Sequence, residues 1–229
     1  MKTVGLIGGM SWESTITYYQ LLNEGVKDAL GGLHSAKILL YSVDFFEIEA
    51  LMSRGEWEKA ADLLGGVALR LETAGADMIL ICTNTLHKVA PQVQERIHVP
   101  LVHIAEAAAD ELRANGIRRV GLLGTKYTMT QEFYRDKLTE RGIDVLIPEG
   151  GDIDLVNRVI FDELCLGVVK PDSKAAYLRV ISELQARGAQ GILLGCTELG
   201  LIVSAEDVSL PLFDTTVIHA KKALELSLA

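Results

Sequence analysis

The chain says the same thing twice. Laying 75-GADMILICTNT-85 over 188-GAQGILLGCTE-198 matches Gly75 with Gly188, Ala76 with Ala189, and Ile79-Leu80 with Ile192-Leu193. In the same order, VGLIG at 4–8 matches VGLLG at 120–124, and VPLVHI at 99–104 matches SLPLFDT at 209–215 through Pro100 and Pro211. Three matches at nearly constant offset predict two copies of one α/β unit.

The units read as strands alternating with helices. Short apolar runs occur at 4–9, 37–43, 77–83, 100–104, 119–125, 143–148, 190–196 and 210–213. Several are apolar on both faces, as in parallel sheets covered by helices, and the segments between them are long enough for crossover helices. The stretch 57–75 carries Ala61, Leu64, Ala68 and Leu71 at helical spacing and stops at Gly75, and 174–188 stops likewise at Gly188. The predicted class is α/β with parallel sheets.

Composition narrows the partners. With 22 Lys and Arg against 31 Asp and Glu in 229 residues the formal charge is −9, and no basic cluster suggests a nucleic-acid face. No apolar run approaches the roughly 20 residues that span a bilayer, and the start MKTVGLIGG lacks signal-peptide features, so a cytoplasmic protein is expected. Cys82, Cys165 and Cys196 form no Cys-x-x-Cys pair, and His34, His98, His103 and His219 have no metal-ligand spacing, so no disulfide framework and no metal site are predicted.

In open α/β sheets ligands bind beyond the carboxyl ends of the strands. There the chain gathers Met10 and Ser11, then Thr83, Asn84 and Thr85, then Thr125 and Thr128, and finally Cys196, Thr197 and Glu198. These groups suit a small polar ligand held largely by neutral hydrogen bonds. The glycine-rich 5-GLIGGMSWEST-15 fits neither a dinucleotide fingerprint nor a P-loop; its glycines serve either a tight turn or direct ligand contact.

The repeat also decides between neighbouring residues. With Gly75 on Gly188, Cys196 matches Thr83 while Cys82 matches Gly195. Adjacent strand residues point to opposite faces, so if Cys196 points into a cleft, so does Thr83, and Cys82 points away.

Asn-Thr-x-His at 84–87 together with Gly-Cys-Thr-Glu at 195–198 resembles the aspartate/glutamate racemase family, and GGMSWEST at 8–15 and LPLFDTTVIHA at 210–220 resemble its aspartate racemase branch. The resemblance implies two Rossmann-like lobes, 1–98 with 208–229 packing back on it and 99–207, with the active site between them. It implies a homodimer acting on a small amino-acid substrate without cofactor. Two residues, usually cysteines, exchange the substrate α-proton from opposite faces.

In that family the first lobe usually reads Cys-Asn-Thr, where this chain reads Thr83-Asn84-Thr85. By resemblance Cys196 is the base for the L enantiomer and Thr83 the opposing group. Asn84, Thr85 and Thr197 then hold the α-carboxylate and amino group, with Ser11, Thr125 and Thr128 nearby. Met10 stands where the glutamate branch tends to carry Asp, and Cys165 where many aspartate racemases carry Lys. Glu198 either orients Cys196 or starts the next helix, and His87 either assists Thr83 or caps a helix. Aspartate or glutamate is the leading substrate. Other polar amino acids or hydantoins, or ligand binding without turnover, are the alternatives.

Overall fold

The computed structural model describes residues 1–229 as two compact units, Met1–Ile104 with His219–Ala229, and Ala105–Ile218. In the first unit β1 (Val4–Gly8) is flanked by β2 (Ile38–Ser42) and β3 (Met78–Ile81), all parallel. Helices α1 (Trp12–Leu30), α2 (Phe45–Ser53) and α3 (Trp57–Thr73) connect them, and the short α4 (Ala90–Gln94) follows β3. Every residue of β1 and β3 is buried, whereas β2 is the half-exposed edge.

After α5 (Ile104–Ala114) the second unit repeats this order: β4 (Arg119–Gly124) lies between β5 (Asp144–Leu146) and β6 (Ile192–Gly195), and β7 (Leu212–Asp214) extends the sheet beyond β6. Its helices are α6 (Lys126–Thr130), α7 (Glu132–Thr139), α8 (Gly151–Asp162) and α9 (Pro171–Ala186), and α10 (Thr215–Leu228) carries the chain back into the first unit. Gly75 and Gly188, just past α3 and α9, have φ of +100° and +95°, the left-handed stop that the sequence predicts at both places.

The copies match at the level of single contacts. Gly5 pairs with Ile79 across the first sheet and Gly121 with Ile192 across the second, the pairs that the sequence repeat superposes. A Cβ on Gly5 would lie 2.7 Å from Ile79 Cδ1, and one on Gly121 2.8 Å from Ile192 Cδ1. The amide of Ile79 donates to Pro100 O and that of Ile192 to Pro211 O, each at 2.9 Å.

One expectation changes. The run at 100–104 is only a single bridge at Leu101, because the Val102 carbonyl accepts from His219 Nε2 at 2.7 Å and the chain enters α5 at Ile104. The two compact units divide at 104 and 218. Residues 100–102 stay bonded to Ile79 of the first sheet, and β7 pairs with β6 of the second before the chain returns.

The first core closes on a buried polar pair. Tyr18 from α1 and His219 from α10 are both fully buried, with the Tyr18 hydroxyl 2.8 Å from His219 Nδ1. A carbonyl only accepts, so Nε2 carries the hydrogen to Val102 O, and Nδ1 accepts from the Tyr18 hydroxyl: the ring is neutral. Burial, then neighbouring His87, pushes His219 down from 6.5 to about 3. The unfolded chain therefore takes up a proton that the folded chain refuses as pH falls from about 6.5 toward 3. The stability from neutral His219 is complete above that window and is lost through it, by about 2 kcal/mol between pH 6.5 and 5. Urea unfolding at these two pH values, in the natural protein and in His219→Gln, checks this; an equally steep loss in the variant would refute it.

Candidate active site

In the first unit the polar residues collect beyond the adjacent strands β1 and β3. Gly9 turns the chain after β1 at φ +89°, and a Cβ there would lie 2.2 Å from Val43 O, so no side chain fits. Its amide donates to Thr15 Oγ1 at 2.8 Å, and that hydroxyl donates to Ser11 O at 2.9 Å. The glycine-rich start is thus a tight strand-to-helix turn, with Met10 and Ser11 buried beside it and Ser11 Oγ 3.2 Å from Ser14 Oγ.

The end of β3 divides its residues as alternation demands. Cys82 is fully buried in one cluster with Met78 and Leu80, four and two positions before it, against Tyr18 and Leu22 of α1 and Ala220 and Ala223 of α10. Burial drives its thiol far above the usual thiol range, so it stays protonated as a small apolar side chain. Thr83 is only half-buried, while Asn84 and Thr85 are buried at the start of the 3-10 turn Thr85–Val89. His87 in that turn has Nδ1 2.8 Å from Thr83 O, and its Nε2 accepts from the amide of Ile104, the first residue of α5, at 3.2 Å.

The second unit gathers its set beyond β4, β6 and β7. Thr125 caps α6, its hydroxyl accepting from the Thr128 amide at 3.3 Å and lying 3.2 Å from Thr128 Oγ1; Thr128 is fully buried. Cys196 follows the last rung of the β4–β6 ladder, Gly124 on Gly195. Its Sγ donates to Glu198 Oε2 at 3.0 Å, and the Thr197 hydroxyl donates to the same oxygen at 2.8 Å. Glu198 therefore holds both neighbouring side chains.

Cys196 is held well above its ordinary range, first by burial and then by the Glu198 charge, so at rest it is a protonated donor. Asp214, at the end of β7, caps α10 by accepting from the amides of Thr216 at 2.7 Å and Val217 at 3.3 Å. Burial raises its carboxyl, and the charge of Glu198 adds to that. The second strand end thus holds a buried thiol against the Glu198 carboxyl, with Asp214 close enough to feel the charge of Glu198. Sequence reasoning passed over Asp214, although its pairing with His103 through the Pro100–Pro211 match is visible in the repeat. Cys165, set by resemblance only where many aspartate racemases carry Lys, is half-buried and close enough to push the Cys196 thiol further up.

The ladders extend the repeat to the chemistry. Ile7 pairs with Ile81 in the first sheet and Leu123 with Leu194 in the second, so two positions on, Thr83 and Cys196 stand at equivalent places. The chain is thus a duplicated parallel α/β fold with a hydroxyl and a thiol at matching strand ends.

Comparison with known proteins gives the family: the Asp/Glu/hydantoin racemase model matches residues 7–223, and the chain belongs to that family of isomerases. A crystal structure of a putative Asp/Glu racemase from Yersinia pestis is 55% identical with a TM-score of 0.94, covering 100% of both chains. That of an aspartate racemase homologue from Pyrococcus horikoshii OT3 is 38% identical with a TM-score of 0.87, again over 100% of both. The broad specificity amino-acid racemase RacX of Bacillus subtilis is 23% identical over 99% of this chain and 98% of its own. No helix is long and apolar enough to cross a membrane.

Proposed function

We propose that this chain interconverts the enantiomers of an acidic amino acid, aspartate or glutamate, with Cys196 and Thr83 acting on opposite faces of the α-carbon. The observation that carries the reading is the equivalent position of these two residues past matching ladders. The carboxyl group of Glu198, 3.0 Å from the thiol, and that of Asp214, coupled to Glu198, favour a cationic α-ammonium. An ammonium there offsets the charge that holds the thiol up, and the thiol proton passes to Glu198 Oε2, 3.0 Å away. The thiolate then takes the α-proton of the L enantiomer, and Thr83 donates a proton to the other face. Asn84, Thr85 and Thr197 hold the carboxylate and amino group. Met10, Ser11, Thr125 and Thr128 shape the turns that carry them.

A hydroxyl is a far weaker acid than a thiol, whose ordinary pKa is near 8.5, so the two faces are unequal. The enantiomers have equal energy in water, which makes kcat/KM for inversion the same in both directions. The inequality is instead expressed as exchange with retention. Cys196 returns solvent hydrogen to the L face more often than Thr83 delivers one to the D face. In deuterated water, proton NMR should record faster loss of the α-proton from L-aspartate or L-glutamate than from the D form. Equal rates would refute the assignment.

A broader set of polar amino acids is the second reading. It is supported by the likeness to the Bacillus subtilis broad specificity racemase over 99% of the chain. The same measurement repeated over a panel of amino acids decides between the two.

A further inference from the structure

We infer that His87 is a positioning residue for Thr83, clamping the hydroxyl-bearing strand end to the first amide of α5; this rests on the reading that Thr83 acts on substrate. The ring's hydrogen bonds define its state. A carbonyl only accepts, so His87 Nδ1 carries the hydrogen that meets Thr83 O at 2.8 Å. A backbone amide only donates, so Nε2 keeps its lone pair for Ile104 N at 3.2 Å. One neutral tautomer satisfies both bonds, and any other protonation state loses at least one.

The clamp joins two pieces of backbone that need it. The first amide of a helix has no partner inside the helix, and Nε2 supplies one for α5. Thr83 lies one residue past the last cross-strand bond, from the Cys82 amide to Ile7 O at 2.9 Å, and its own amide reaches back only to Ile81 O. The imidazole itself is 1% exposed and packs against the rings of His103 and His219, with centroids 4.6 and 5.7 Å away. It is therefore a rigid brace, buried out of reach of bulk water.

The second copy of the fold does without such a brace. Counting four residues from Cys196, as His87 is four from Thr83, reaches Gly200, which has no side chain to offer. There Glu198 holds the thiol directly through its side chain. A backbone clamp is thus no requirement of the repeated unit. It occurs in the copy whose acid is a hydroxyl, where a weak acid leaves least tolerance for misaim, and an error of about 1 Å costs on the order of a hundredfold in rate.

The test follows two products from one reaction on the full chain. L-aspartate and L-glutamate are incubated in deuterated water, and deuterium retained in the L form and D enantiomer formed are both counted. Retention reports Cys196 alone, whereas D formation needs Thr83 as well. In His87→Ala the yield of D per L exchanged should fall about tenfold or more, while L exchange stays within about twofold of the natural protein. His87→Asn keeps a donor near the Nδ1 position and should recover most of the lost yield. His87→Gln, which offers an acceptor near the Nε2 position, should not.

Equal loss of both products in His87→Ala, or rescue by Gln and not by Asn, would overturn the inference in favour of a merely structural cap. Should His87→Ala fail to fold, the comparison of Asn with Gln still decides. Thr83→Ala separates the two levels of argument. If it leaves the D yield intact, the assignment of Thr83 falls and the clamp's role with it. If it abolishes D formation while the His87 variants do not change the yield, only the clamp is refuted.

Discussion

Cys196→Ala removes α-proton exchange from the L enantiomer and interconversion in both directions, with a loss of about 10²–10⁴-fold or more. The size follows from its place in the scheme: every passage between L and D uses the face that this thiol serves, so no second route carries the reaction. Glu198 cannot substitute, because without the sulfur its carboxylate lacks the reach and geometry it has through Sγ at 3.0 Å. The sharpest comparison is with Cys82, fully buried and of raised pKa, whose replacement by Ala should leave exchange unchanged and cost about 1 kcal/mol of stability from lost packing. Proton NMR in deuterated water on both variants, beside urea unfolding, measures the two effects. A dead Cys82→Ala with an active Cys196→Ala would shift the catalytic register by one residue and overturn the assignment.

Thr83→Cys works in the opposite direction. It places a thiol at both matching strand ends, and a thiol gives up and takes back a proton near neutral pH far more readily than a hydroxyl. Exchange from the D enantiomer should rise about tenfold or more, and the yield of D per L exchanged should rise with it. Thr83 is half-buried, so the extra sulfur has room and the stability cost should be small. A variant with unchanged D-side exchange would mean that aim, and not acidity, limits that face. The His87 variants address aim directly.

Much of this molecule is legible in its sequence because the duplication is written in residues that packing cannot forgive. Gly5 and Gly121 face isoleucine methyls, Pro100 and Pro211 lend carbonyls to the same strand position, and Gly75 and Gly188 end helices at positive φ. Each is a one-residue demand of the backbone, so each survives in both copies as the same letter. The alternation that separates Cys82 from Thr83 is legible for the same reason: a strand buried on one face sorts its side chains by parity.

What stayed hidden depends on contacts between distant segments. The run at 100–104 has the composition of a strand, yet its Val102 carbonyl is taken by His219, 117 positions away, and no local pattern announces that. The clamp role of His87 needed the position of Ile104, and the double hold of Glu198 on Cys196 and Thr197 needed the rotamers beyond β6. Asp214 was concealed in another way, since an Asp that only caps a helix and one that also feels a buried glutamate look identical as letters.

The paired glycines also bear on how the chain tolerates change. Under Ile79 and Ile192 even alanine, the smallest substitution, obliges an isoleucine to move, and at Gly5 the Ala76 Cβ stands only 2.9 Å from the added carbon. The seam down the middle of each sheet is therefore nearly closed to mutation. The tripeptides just past the last rungs, Thr83-Asn84-Thr85 and Cys196-Thr197-Glu198, already differ at all three positions without disturbing that seam. The frame works as a pair of identical sockets, and new chemistry can be tried in one while the other keeps its own.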